Sequence, residues 1–233
     1  MTIASPFLIF SYCLGSRSTI YKPYWQSFIF IEAGAMPRTR VEAQYEANRQ
    51  HILDQAAHLF AARGFPRTTI VELARACQCS KALLYHYFAS KEDILYALLK
   101  THLQSLCAVA EEALSVSDAP VEQFYALTQA NMAIYIKSRD RHVVLVSDTG
   151  HLPEKQREDI RQMQRVLTSL VSELLTRLNP QLLSDPRLPM LYTMVFYGVL
   201  NWTYIWYDAD GAVGPDEFSR RAADLFLHGF APR

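Results

Sequence analysis

The sequence of 233 residues predicts an all-α protein: an N-terminal three-helix helix-turn-helix domain followed by a larger helical domain. Two observations carry that expectation. Apolar residues recur at three- and four-residue spacing through most of the chain after residue 43, and no strand-period alternation stands out. In addition, the cap residues Thr69, Ser80 and Ser90 fall close together, which requires short helices meeting at sharp angles.

The elements follow in order. From Ala43 to Arg63 the apolar residues Ile52, Leu53, Ala56, Leu59 and Phe60 share one helical face, and Gly64 supplies a left-handed stop. Thr69-Ile-Val-Glu72 has the spacing of a capping box and opens a short helix with Ile70, Leu73 and Ala74 on its apolar face. Ser80 caps a second short helix, Lys81–Phe88, and Ser90-Lys-Glu-Asp93 caps a long one running past Leu106. A polar break at Ser115–Pro120 precedes a helix over Val121–Ser138. Asp140–Pro153 reads as a looser stretch, and Glu154–Leu178 as an amphipathic helix. After the proline-punctuated Asn179–Pro189, an uncharged helix over Leu188–Tyr207 and a last helix ending near Phe230 complete the chain. Three units are expected: an extension over 1–35 outside the core fold, a DNA-binding domain over 36–90, and the body over 91–233.

Half of the residues are apolar, which excludes disorder over most of the length. The formal net charge is zero, yet residues 36–102 hold nine Lys/Arg against six Asp/Glu, while residues 103–233 hold twelve against sixteen. A basic front on a mildly acidic body suits a polyanion at one end. Cys13, Cys77, Cys79 and Cys107 show no disulfide framework, in keeping with a cytoplasmic protein. Cys77-x-Cys79 lacks the second ligand pair that a metal site needs, so neither metal nor cofactor is expected. The aromatic opening stretch lacks a basic leader and is interrupted by Arg17 and Lys22. The polar groups of Leu188–Tyr207 are costly in lipid, so that segment suits a helix between core and dimer partner better than a membrane span. An enzyme reading finds no glycine-rich phosphate loop, no His-Glu metal motif and no nucleophile elbow.

The run Asn48-Arg-Gln-His-Ile-Leu-Asp-Gln-Ala-Ala-His-Leu-Phe-Ala-Ala-Arg-Gly64, followed by Thr68-Thr69, Ser80-Lys-Ala-Leu-Leu-Tyr-His-Tyr-Phe88 and Lys91-Glu92, resembles the N-terminal domain of the TetR/AcrR transcriptional regulators. Spacing puts Leu84 and Phe88 on the core side of the second short helix, and Tyr85 and His86 toward DNA. The resemblance implies that Tyr85, Tyr87 and Lys91 hold phosphates. It implies that Ala82, Leu83 and His86 approach base edges, with Thr69, Ser80 and Lys81 contacting DNA at the helix starts. Arg38 and Arg40 sit on an arm able to reach an adjacent groove. The chain departs from the family pattern in the turn, where Gln78 and Cys79 replace Gly and Val.

Gly198-Val-Leu-Asn-Trp-Thr-Tyr-Ile-Trp-Tyr-Asp208, with Gly214-Pro-Asp-Glu-Phe218, resembles family members that regulate fatty-acid, phenylacetate or steroid-ring catabolism. That resemblance implies a homodimeric repressor, released from a palindromic operator by a small-molecule effector of acyl-CoA type. The alternative is a repressor of an efflux or detoxification gene that answers to hydrophobic xenobiotics. Tyr135, Met163, Phe196 and Trp202 are candidate pocket residues. Arg139, Arg141 and Arg165 are candidate partners for an anionic ligand.

Overall fold

A computed structural model describes residues 40–230, with side chains from residue 42 to residue 229. The expected extension, Cys13 and Arg38 lie outside the described residues, as does the side chain of Arg40. Among the described residues every regular element is helical. Helix α1 spans Arg40–Arg63, α2 Ile70–Ala76, α3 Lys81–Tyr87 and α4 Lys91–Ser115. Helix α5 spans Pro120–Lys137, α6 Arg139–Asp148, α7 Glu154–Leu178, α8 Leu188–Asn201, α9 Thr203–Trp206 and α10 Pro215–Phe230. No described helix is long and apolar enough to cross a membrane.

The caps form as their residue types dictate. Thr69 Oγ1 accepts from the Glu72 amide at 3.2 Å while the Thr69 amide donates to Glu72 Oε2 at 2.8 Å, completing the box. Ser90 Oγ accepts from the Asp93 amide at 3.0 Å. Gly64 closes α1 at φ +82°, a conformation that costs a glycine nothing.

Two expectations are corrected. Asp140–Pro153 is mostly helix α6 with a 3-10 turn at Thr149–His151. The run Val143-Val-Leu-Val146 is apolar and mostly β-branched, so it carries no helical period. Packing against α1, with His142, Val144 and Leu145 buried, imposes the helix instead. The uncharged segment is not one helix over Leu188–Tyr207. It breaks at Trp202 into α8 and the single turn α9, where Thr203 Oγ1 turns back onto the Leu200 carbonyl at 2.6 Å.

Helix α4 is the common wall. Ile94, Leu95, Leu98 and Leu99 are buried on more than one side of its first turns, and Leu103, Leu106 and Ala110 continue inward between α5 and α7. The three-helix unit docks on this body through the turn after α1. Phe65 is buried against Phe60, and its ring lies 4.1 Å from the Lys91 ammonium and 5.5 Å, stacked, from His151. Lys91 Nζ donates to the carbonyls of Phe65 and Thr68, both at 2.9 Å. The Phe65 amide donates to Asp148 Oδ2 at 3.3 Å, and burial raises the Asp148 carboxyl above its ordinary range. A second tie joins α1 to α6, where Arg141 meets Asp54 at 2.7 Å and His58 Nδ1 meets Asp140 at 3.1 Å. These pairs are mostly exposed, so they add little beside the Phe65 clamp.

Removing the Lys91 ammonium strands the Thr68 carbonyl and leaves that of Phe65 with the Thr68 amide alone, at 3.2 Å. Lys91→Met is therefore expected to cost about 2 kcal/mol, the scale of hydrogen bonds to a charged group. A lower urea midpoint at unchanged slope is the expected result, and an unchanged midpoint would show that the clamp carries no load.

Candidate nucleic-acid interface

The turn between α2 and α3 decides where α3 points. The Cys79 amide donates to the Ala74 carbonyl at 2.9 Å and the Gln78 amide to that of Arg75 at 3.1 Å. That pair of bonds is a Schellman motif, which places its central residue in the left-handed region. Gln78 occupies that position at φ +52°. The substitution for glycine thus leaves the turn intact, at a strain of up to about 1 kcal/mol. Burial pushes the Cys77 thiol up to about 11 and raises that of Cys79 as well, so both sulfurs stay protonated fillers.

Ser80 Oγ then accepts from the Leu83 amide at 3.1 Å and starts α3. Leu84 is 1% exposed and Phe88 6%, which seats this helix on α1 and α2. The other side of α3 carries Lys81, Ala82, Leu83, Tyr85 and His86, all exposed, and Thr69 at the start of α2 is exposed too. Tyr85, at 52% exposure, has a hydroxyl free to donate to a phosphate oxygen.

Two expected contacts are placed differently. Lys91 does not present its ammonium on this face, because the Phe65 and Thr68 carbonyls hold it inside the joint. Tyr87 is half-buried, with its hydroxyl accepting from Asn48 Nδ2 at 3.0 Å and its ring 4.7 Å from Tyr45. The proton of that hydroxyl remains available, but its ring chiefly braces α3 on α1. Sequence reasoning missed Tyr45 and Asn48, whose three-residue separation on α1 was a signal for a shared face. It also missed Arg67 and Arg75, exposed cations on either side of Thr69.

The candidate effector residues are not gathered into one pocket. Tyr135 is buried, its ring stacked 3.7 Å from that of His142, and its hydroxyl donates to Asn201 Oδ1 at 2.9 Å. Arg139 donates to the Tyr204 carbonyl at 2.9 Å and lines a cleft of about 590 Å³ with Thr101, His102 and Lys137. Phe196 instead belongs to an aromatic knot with Phe124 and Phe226, at 5.1 and 5.8 Å. Met163 is half-buried on α7, and Trp202 is exposed on the outer side of the break after α8. Arg165 pairs with Glu158 at 2.9 Å on the surface of α7, and Arg141 with Asp54. His102 Nε2 lies 3.4 Å from His142 Nδ1 in the interior, a pairing that sequence reasoning did not foresee. Burial and the nearby Arg141 depress His102 to about 4. Burial and His102 depress His142 to about 3, so both rings are neutral at ordinary pH.

Comparison with known proteins agrees with this architecture. Residues 52–98 match the bacterial regulatory proteins of the tetR family, and residues 117–230 match the tetracyclin repressor-like C-terminal domain. A TetR-family transcriptional regulator of Bordetella parapertussis 12822 is 43% identical, with a TM-score of 0.76 over 78% of this chain and 95% of that one. AibR, solved in complex with isovaleryl coenzyme A and operator DNA, shares the fold at 24% identity and a TM-score of 0.68, over 80% of this chain and 100% of its own. The transcriptional regulator HbdR of Aromatoleum sp. (strain CIB) is 31% identical over 112 residues, which is 48% of this chain and 49% of HbdR. The chain spans between 49% and 65% of the length of the first curated relatives that it matches. The capped helix-turn-helix, the helical body behind it and the match across 95% of the Bordetella regulator lead to one conclusion: this chain belongs to the TetR family of transcriptional regulators.

Proposed function

We propose that this protein is a homodimeric repressor that grips an inverted-repeat operator through residues 69–88 and releases it when a small molecule binds the body. The observation that supports this most strongly is the division of α3. Leu84 and Phe88 anchor it, and Lys81, Ala82, Leu83, Tyr85 and His86 stand free on the opposite side. A helix presented in this way suits the major groove, with Tyr85, Lys81, Ser80 and Thr69 on phosphates and Ala82, Leu83 and His86 at base edges. Tyr87 contributes from the rim. On this reading residues 36–90 form the DNA-binding domain and 91–233 the effector and dimer domain.

The dimer reading draws on an apolar stripe. Leu191, Val195, Val199, Trp202 and Trp206 are exposed at helical spacing along α8 and α9, and Leu225 on α10 is 79% exposed. An uncovered stripe of this kind needs a partner, and a second copy is the partner that an inverted repeat requires. The effector class is an acyl-CoA thioester. The likeness of residues 198–218 to regulators of acid and steroid-ring breakdown supports it, and so does the shared fold of AibR.

Operator affinity is the test. Binding to an inverted repeat whose half-site centres lie about one helical turn apart should weaken steeply with salt as counterions are released. Salt-indifferent binding, or full affinity for a single half-site, would contradict the reading. Tyr85→Phe is expected to weaken all operators alike by about 1 kcal/mol, whereas His86→Ala relaxes discrimination at one or two base pairs by about 1–3 kcal/mol each. The reverse pattern would mean that α3 is turned by one position. Val199→Asp should yield monomers in sedimentation and abolish operator binding, and a variant that stays dimeric would move the two-fold interface elsewhere.

A further inference from the structure

Several polar groups in the body are buried without a partner. Asn131 is 0% exposed, and neither its Nδ2 nor its Oδ1 makes a hydrogen bond. The Tyr197 hydroxyl is likewise unpaired at 4% exposure, and His142 Nε2, at 3%, has no well-formed hydrogen bond, only a loose approach to Asn201. Native interiors leave few such groups, and each calls for an explanation. Each of the three is related to Tyr135. Phe124 meets Phe196, and Tyr135 meets Asn201, so two contacts join α5 to α8. Asn131 lies between Phe124 and Tyr135 on α5, one turn before Tyr135, and Tyr197 lies between Phe196 and Asn201 on α8. Tyr197 feels the hydroxyl of Tyr135, on whose ring His142 is stacked. His142 in turn meets His102, and His102 lines the cleft that opens between α1, α4 and the α5–α6 junction.

We propose that Asn131, Tyr197 and His142 form the inner end of a ligand site, entered from the cleft at His102, that selects an uncharged hydrogen-bonding head on an apolar stem. A head of this kind is an amide, an alcohol, a ketone or a thioester carbonyl. The inference rests on the reading of the body as an effector domain. The chemistry of the lining gives the class. The Asn131 amide offers a donor and an acceptor, the Tyr197 hydroxyl offers both, and the His142 ring nitrogen supplies one more partner. Neither imidazole carries charge at ordinary pH. Of the cations that line the cleft, Arg141 is already paired with Asp54, Arg139 donates to the Tyr204 carbonyl and Lys137 is exposed, so a carboxylate drawn inward to Asn131 and Tyr197 would leave them behind. Glu111, one turn beyond Cys107 on α4, also has an unpaired Oε1, and burial pushes its carboxyl toward the neutral form.

Three probes with one stem separate these heads: hexanamide, hexanoate and hexylamine, titrated into the full-length protein with thermal shift as the readout. Hexanamide is expected to bind at least about tenfold more tightly than either charged probe, since a buried charge without a partner is expensive. The double variant Asn131→Leu with Tyr197→Phe should lose that preference. It should also melt at or above the wild-type temperature without probe, because the groups removed are unpaired there. Equal binding of the three probes overturns the proposal. So does a double variant that keeps the amide preference, or one that melts well below the wild type and thereby shows the groups to be structural. Tyr197→Phe alone supplies the same comparison with the smallest change of shape. Operator affinity with and without hexanamide separates this proposal from the switch. An amide that binds as expected and leaves operator affinity unchanged sustains the site and contradicts effector release. The absence of amide preference, with operator release by CoA thioesters intact, sinks the site and leaves the switch standing.

Discussion

Phe65 is gripped through its amide, its carbonyl and its ring, and that grip sets how the three-helix unit sits on the body. The chain leaves α1 at Gly64 and must turn before α2, and that turn is where the three-helix unit meets the body. Its amide is taken by Asp148 at the end of α6, its carbonyl by Lys91 at the start of α4, and its ring by Lys91 and His151. The clamp therefore gathers the end of the first helix, the start of the common wall and the far end of α6 at one point. The orientation of α3 relative to α4 follows from it. Through α2, the Schellman turn at Gln78 carries that orientation to the exposed side of α3.

The clamp also explains why Lys91 is not where the family resemblance puts it. An ammonium beside Ser90 at a helix start reads from sequence as a surface cation that faces DNA. Its four-carbon stem is long enough to fold inward onto an aromatic face, and the Phe65 and Thr68 carbonyls of the turn accept its protons. No local pattern encodes such a contact, since its partners lie 23 and 26 residues earlier in the chain.

What was legible in the sequence was local. Thr69, Ser80 and Ser90 cap where their spacing required, Gly64 stops α1, and Leu84 and Phe88 turn inward as a four-residue separation demands. What escaped depends on distant packing. Helix α6 carries a β-branched run with no period, and α1 imposes its form. The break at Trp202 is invisible in an uncharged segment whose every residue tolerates a helix. The placing of the ligand candidates depends on the same distant packing. Phe196 and Trp202 are both aromatic residues on neighbouring helical turns, yet one fills a knot of rings and the other faces outward. The polar residues of the proposed site, His102, His142, Asn131 and Tyr197, are spread over four helices, and composition alone does not single them out. A body that keeps such groups in its interior gives up stability there, as functional sites commonly do.

On the proposed function the body communicates with α3 through the Phe65 clamp, and the coupling between ligand and operator is the quantity to measure. Operator affinity is determined for the wild type and for Asp148→Ala, each with and without the CoA thioester that most weakens wild-type binding. Asp148 lies on the clamp and outside the polar cluster, so the variant should still bind the thioester about as tightly as the wild type. Its operator affinity should then respond at least about fivefold less to the thioester, because the coupling between the two sites has been cut. A variant that binds the thioester and releases the operator as fully as the wild type would contradict communication through the clamp.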